Sequence, residues 1–486
     1  MSQNNKVAVV SNVFWRLLER FGAQGVTFIV SIILARLLDP NVYGAVALVT
    51  VFISILQVFV DSGLGNALIQ KKSADDIDFS TVFFFNVVFC LILYALIFFA
   101  APWIASFYNQ PELVPVVRAL SLTIVISGVK NVQQAYVSKN MMFKRFFFAT
   151  LGGTIGAAII GIYMAYNGYG IWAIVFSNLF NIAVDTTILW LTVKWRPKLL
   201  FSFKRLKGLF SYGWKLLVSN LIDTVYEDLR TLVIGKMYSS DDLAFYNKGK
   251  QFPNLLVSNL NTSIDSVLFP AMSEAQDNPT YIKSMTRRAI KTTTYFIMPL
   301  MVGLAACSKP FISILLTDKW LDCVPYMQVL CFAIALHPIL IANLNAIKAM
   351  GRSDIYLKLE IARKIVGFST LFATMWISPY AIAWGVLANS LLNQIVNAWP
   401  NKSLLRYGYL EQVRDILPEI LLSLFMGVLV YSVRLLGMSN WVTLIIQVPL
   451  GVVVYLGASI LFRFESFLYM LPLVNGFLNK KVTKYI

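Results

Sequence analysis

Apolar runs of about 20 residues, the length that crosses ~30 Å of hydrocarbon as an α-helix, recur along the whole chain at short intervals. Backbone amides and carbonyls have no water to bond inside a bilayer, so each run must satisfy them within itself and fold as a helix. The runs centre near Gly25, Ile55, Leu93, Ile126, Gly161, Phe180, Ile222, Val257, Met301, Ala335, Phe368, Ala388, Met426 and Gly451. They predict an all-α polytopic membrane protein of about 14 transmembrane helices. Composition agrees, since 58% of residues are hydrophobic and 13% charged, against about 25% charged in ordinary soluble domains.

The net charge of +17 is carried mainly by short segments between the runs, so it reads as membrane topology and not as a nucleic-acid surface. Twenty-six of the 41 Lys and Arg fall on alternate connections, among them Lys194–Lys207, Lys283–Lys291 and Arg463–Lys484, while the other side holds Lys236, Lys319 and Arg434. The positive-inside rule then places both termini in the cytoplasm. The N-terminus lacks a basic start followed by an uninterrupted apolar core, and Arg16, Glu19 and Arg20 interrupt it; it is expected to stay on the mature protein. Cys90, Cys307, Cys323 and Cys331 lie in or beside apolar runs without metal-ligand spacing, which predicts packing residues and no disulfide.

The basic connection Lys194–Lys207 divides the runs six and eight. The expected organisation is a six-helix bundle over 1–193, a basic cytoplasmic linker over 194–207, a second six-helix bundle over 208–405, and two additional helices with a basic tail over 406–486. A weak repeat supports the division, with Trp15-Arg16-Leu17-Leu18 falling on Trp214-Lys215-Leu216-Leu217.

One run breaks the apolar rule. Tyr212–Met237 holds Lys215, Asp223, Glu227, Asp228 and Arg230, and a charge at the centre of a spanning helix costs about 2.5 to 3.5 kcal/mol on insertion scales. At about 100° per residue, Lys215, Asp223, Tyr226, Glu227 and Arg230 share an arc of roughly 140°, with Asp228 outside it. The next run repeats the pattern with Lys248, Gln251, Asn259 and Asp265, flanked by Lys250, and the first carries Arg16 and Arg20 one turn apart. Such stripes call for an internal, watery surface. Arg16, Arg20, Lys215, Arg230, Lys248 and Lys250 form a candidate cationic surface for an anionic ligand, and Asp61, Asp223, Glu227 and Asp265 are candidates for ion coupling. Asp223 and Glu227 near Arg230, and Glu360 near Arg363 and Lys364, also suit structural ion pairs. His337 is the only histidine and is expected to be packed and hydrogen-bonded. With one histidine and no phosphate-cradling glycine loop, neither a metal site nor nucleotide hydrolysis is expected.

The hairpin ILARLLDPNVYGAVALV, Ile33–Val49, followed by DSGLGNALIQKK, Asp61–Lys72, resembles the Wzx-type polysaccharide flippases, especially the colanic-acid and teichuronic-acid exporter branch of the multidrug/oligosaccharidyl-lipid/polysaccharide exporter superfamily. The resemblance implies two six-helix bundles around a central cavity with two helices following, in a bacterial cytoplasmic (inner) membrane. It implies transport, not enzymatic catalysis: an undecaprenyl-diphosphate-linked glycan moved by alternating access from the cytoplasmic to the outer leaflet. No cofactor is implied beyond a proton or sodium gradient, and polysaccharide assembly proteins are implied as further partners. Physically, a sugar head group forfeits its water hydrogen bonds in hydrocarbon, so a polar cavity must replace them, and Arg and Lys suit a diphosphate. A drug or cation antiporter of the same superfamily would want an anionic or apolar cavity. A polysaccharide polymerase or lipid-sugar glycosyltransferase would want a large external loop, and the external connections here are short.

Overall fold

The computed structural model describes residues 3–61 and 63–472; of these, the side chains of 3–14, 16, 17, 20, 212 and 263 are not described. The regular secondary structure of the described residues is all helical, and packing groups the chain into two units, Met1–Ala244 and Phe245–Ile486.

The first unit comprises α1 (Gln3–Leu37), α2 (Pro40–Asp61), α3 (Leu64–Gln70), α4 (Asp76–Phe107), α5 (Leu113–Leu120), α6 (Leu122–Lys139), α7 (Phe143–Tyr166), α8 (Ile171–Thr192), α9 (Phe203–Met237) and the first turn of α10 (Ser240–Ser273). Helix starts follow local chemistry. Asp75 caps α4 by accepting from the Asp78 amide at 3.0 Å, while Asp78 returns a bond to the Asp75 amide at 3.2 Å, a reciprocal box that satisfies two otherwise orphaned donors. Lipid-facing positions are equally legible: Leu96, Phe99 and Trp103 of α4 recur at helical spacing and are 62, 70 and 73% exposed.

The connection 193–202 does not hang free of this unit. Trp195 is buried against Tyr136 and Phe79, and its carbonyl accepts from Gln133 Nε2 at 3.1 Å. The Lys198 and Ser202 amides donate to Ser80 Oγ and Thr81 Oγ1. Beyond it α9 packs on α2, α3 and α4, so Tyr212–Met237, expected to open the second bundle, makes these contacts inside the first unit.

The second unit holds the rest of α10, then α11 (Pro279–Leu316), a 3-10 turn (Asp318–Cys323), α12 (Val324–Ala335), α13 (His337–Ala349), α14 (Ser353–Thr374), α15 (Pro379–Leu404), α16 (Tyr409–Ser432), a second 3-10 turn (Val433–Leu436) and α17 (Asn440–Leu461). Proline opens α11, α13 and α15 within their first turn, where its missing N–H costs nothing. The tenth apolar run is therefore broken at Leu336, with Pro338 inside the first turn of α13. His337 starts that helix with an exposed side chain, in contrast to the packed position expected, because it points away from the face on which Leu336, Pro338 and Ile339 are buried. All four cysteines are buried and free.

Among the described residues nine helical segments are long and apolar enough to cross a membrane. Helices α1, α9, α10, α14 and α15 are 22 to 35 residues long but more polar. Their length, set against their polarity, singles them out as the helices with something to handle besides lipid.

Candidate functional site

In the first unit α9 lies antiparallel to α2, and small residues allow the approach. A Cβ on Gly235 of α9 would stand 2.0 Å from the Leu48 side chain of α2; at the two ends of the pair, one on Gly44 would stand 1.9 Å from the carbonyl oxygen of Ser240, where α10 begins, and one on Gly213 would stand 2.8 Å from the backbone of Gly63, just before α3. Between these two ends Ser54 Oγ donates to Asp228 Oδ2 at 2.5 Å. Asp228, the charge outside the polar arc, is thus the one turned toward α2. The arc itself is presented outward: Lys215, Asp223 and Glu227 are exposed, and Arg230 is half-buried with its guanidinium 5.6 Å from the Tyr226 ring centroid. Four charged side chains on one helix face, stabilised at one end by a cation–π contact, make a surface able to bind polar or anionic groups.

A second polar feature of this unit gathers where α2 ends. Asp61 accepts from Gln57 Nε2 at 2.9 Å and from Asn131 Nδ2 at 3.2 Å. Next to Asn131 on α6, Lys130 pairs with Asp185 of α8 at 3.0 Å. Across the same recess, of about 380 Å³, Thr150 Oγ1 donates to Glu19 Oε1 at 3.4 Å. Of the Asp61 and Asp185 carboxylates the sequence singled out Asp61. It missed that neighbouring residues of α6 hold both, because periodicity assigns faces and not partners. Chemically, carboxylates interleaved with neutral amides and one ammonium can hold a proton or small cation, or bond the hydroxyls of a polar solute.

In the second unit Lys248 is 5% exposed; its Nζ donates to Gln251 Oε1 at 3.1 Å and stands 5.6 Å from the Trp320 ring centroid. Lys250 is half-buried. Asp265 is paired with Lys348 at 3.5 Å, and Lys348 also lies over the Phe269 ring at 5.4 Å. Glu360 and Arg363 pair at 3.2 Å within α14. The side chains of Arg16 and Arg20 lie outside the described residues. Lys215 and Arg230 therefore share one helix face of the first unit, and Lys248 and Lys250 belong to the second.

The chain is similar to known proteins over most of its length. It is 25% identical over 410 residues to the teichuronic acid biosynthesis protein TuaB of Bacillus subtilis, covering 82% of this chain and 84% of the relative. It is 23% identical to the lipopolysaccharide biosynthesis protein WzxC of Escherichia coli, covering 80 and 79%. In fold it matches a structure of the lipid II flippase MurJ in an inward closed conformation, with a TM-score of 0.74 and 18% identity over 93% of this chain and 99% of that one. The model of the family described as polysaccharide biosynthesis protein matches residues 33–325, and the chain, a multi-pass membrane protein, belongs to that family.

Proposed function

We propose that this protein is a flippase that moves an undecaprenyl-diphosphate-linked oligosaccharide from the cytoplasmic to the outer leaflet of a bacterial inner membrane by alternating access, for surface polysaccharide biosynthesis. The observation that carries the reading is the α9 face, where Lys215, Asp223, Glu227 and Arg230 are presented outward from a 35-residue helix. A helix of pure packing function has no use for such a face, whereas a diphosphate and its sugars require charge-assisted donors in place of water. The kinship with teichuronic-acid and lipopolysaccharide biosynthesis proteins and the fold of a lipid II flippase support the same class of cargo.

In this reading the five polar long helices join the nine apolar segments to give fourteen spans, as two six-helix bundles followed by two helices, with both termini cytoplasmic. Lys215 and Arg230, with Arg16, Arg20, Lys248 and Lys250, receive the anionic head; Asp61, Asp223, Glu227 or Asp265 couples the movement to a proton or sodium gradient. The test is a null strain complemented with Lys215→Ala/Arg230→Ala. Accumulation of the lipid-linked oligosaccharide on the cytoplasmic leaflet, with normal membrane levels of the protein, is the expected result. Normal surface polysaccharide in that strain would remove the α9 face from the substrate path.

A further inference from the structure

Helix α11 has 38 residues, about 57 Å at 1.5 Å per residue, against ~30 Å of hydrocarbon. Its first turns therefore stand clear of the acyl chains, on the Lys- and Arg-rich side of the protein. There Lys283, Arg287 and Lys291 follow one another at four-residue spacing, with Ser284 and Arg288 alongside. The chain leaving α17 turns sharply at Arg463, whose φ of 49° lies in the left-handed region, and runs helically back over 465–472. This return lays Tyr469 beside Arg288, the guanidinium 4.6 Å from the ring centroid and Nη1 3.4 Å from the hydroxyl. Between α11 and the return lies a cleft of about 700 Å³.

The charges in the cleft do not balance. Arg287 is held by both oxygens of Asp415 at 2.8 Å, Lys291 by Glu465 at 2.5 Å and Lys283 by Glu411 at 2.8 Å. That leaves Arg288, oriented by an uncharged phenol, and Arg463 at the mouth, with no carboxylate contact among the described residues. A planar guanidinium fork beside Ser284 and Tyr469 hydroxyls matches a tetrahedral phosphate oxyanion. The wall adds an apolar element: Leu468 lines the cleft, 48% exposed, and Leu461 and Phe462 at the foot of α17 are 75 and 69% exposed. We infer that this cleft binds the phosphodiester of an anionic glycerophospholipid headgroup, with Arg288 and Arg463 on the phosphate and the acyl chains against the end of α17. The site is separate from the α9 face and does not depend on its role.

The experiment titrates the purified full-length protein in detergent with dioctanoyl phosphatidylglycerol, dioctanoyl phosphatidylcholine and inorganic phosphate, reading the thermal midpoint and lipid retention by native mass spectrometry. Phosphatidylglycerol is expected to raise the midpoint saturably and phosphatidylcholine not. Arg288→Gln/Arg463→Gln should weaken the apparent affinity for phosphatidylglycerol at least ~10-fold, the scale of one charge-assisted hydrogen bond, while Arg434→Gln leaves it unchanged. Should the double variant fail to fold, Arg463→Gln alone tests the site, with a loss of about five-fold, the scale of one cation at an anionic surface. An equal response to phosphatidylcholine, or affinity unchanged in the variants, overturns the site. An inorganic phosphate response equal to that of phosphatidylglycerol overturns the lipid as its source.

Discussion

Lys130 Nζ stands 3.0 Å from Asp185 Oδ2 with the two side chains only 16 and 12% exposed, so the pair ties α6 to α8 through charges that have little water to fall back on. Lys130→Met leaves the Asp185 carboxylate shielded and without its cation. Breaking one side of such a pair is expected to destabilise the protein by about 3 kcal/mol, while Lys130→Met/Asp185→Leu, which removes both charges, recovers most of the loss. Thermal unfolding of the detergent-solubilised variants distinguishes the two. A double variant as unstable as the single one would show that packing, not charge, matters there.

The contact of α2 with the start of α10 depends on glycine at one place in particular. Gly44→Ala places a methyl 1.9 Å from the Ser240 carbonyl oxygen, a backbone atom that cannot rotate away. The expected cost is about 2 kcal/mol, typical of overpacking a tight contact. Gly25, with nothing within 4 Å of an added Cβ, is the control: alanine there should gain about 0.5 to 1 kcal/mol of helix stability. Equal midpoints for the two variants would mean that the start of α10 can shift from α2 without penalty.

Acid should weaken the α4 cap in a defined range. Asp75 lies outside the spanning segments, and the Arg205 guanidinium at 2.5 Å, helped by the Asp78 amide, holds its carboxyl down at about 2. A carboxyl depressed in the folded state contributes stability that is fully present above its unfolded value of about 3.9 and is lost as pH falls toward 2. Asp75→Asn, which keeps a capping oxygen, should therefore be less stable than the native protein at pH 6. The gap should close between about pH 4 and 2, and Arg205→Gln should make it smaller at pH 6. A gap that persists undiminished at pH 2 would place the effect in the cap geometry alone.

Much of this architecture is legible in the chain because a bilayer leaves few options. Apolar length marks the helices, and the 100° period sorts Lys215, Asp223, Glu227 and Arg230 onto one face and Asp228 off it, where Ser54 meets it. What periodicity does not carry is partnership across helices. Asp265 reads as a free acid in α10 until Lys348, distant in sequence, is found 3.5 Å away. Lys248 reads as a cavity cation by its helix face, yet its burial against Trp320 depends on a 3-10 turn that local sequence does not announce. The stretch 194–207 reads as a linker by its charge, and the burial of Trp195 and the bonds of the Lys198 and Ser202 amides to Ser80 and Thr81 tie its first part to the first unit.

The amide network of the second unit offers the sharpest stability test. Asn343, fully buried, exchanges two bonds with Gln412: its Nδ2 donates to Gln412 Oε1 and its Oδ1 accepts from Gln412 Nε2, both at 2.9 Å. The same Oδ1 accepts from Asn401 Nδ2 at 2.7 Å, so one side chain joins α13, α15 and the start of α16. Asn343→Leu keeps the volume but strips two buried amides of their partner, each loss being about 1 to 3 kcal/mol; a midpoint shift equivalent to on the order of 3 kcal/mol is expected. Asn343→Leu/Gln412→Leu should be milder than the sum of its single variants, because the second change removes the donor and acceptor that the first one orphaned. Strict additivity in that cycle would mean that the two amides contribute independently and that water, not Gln412, satisfies Asn343.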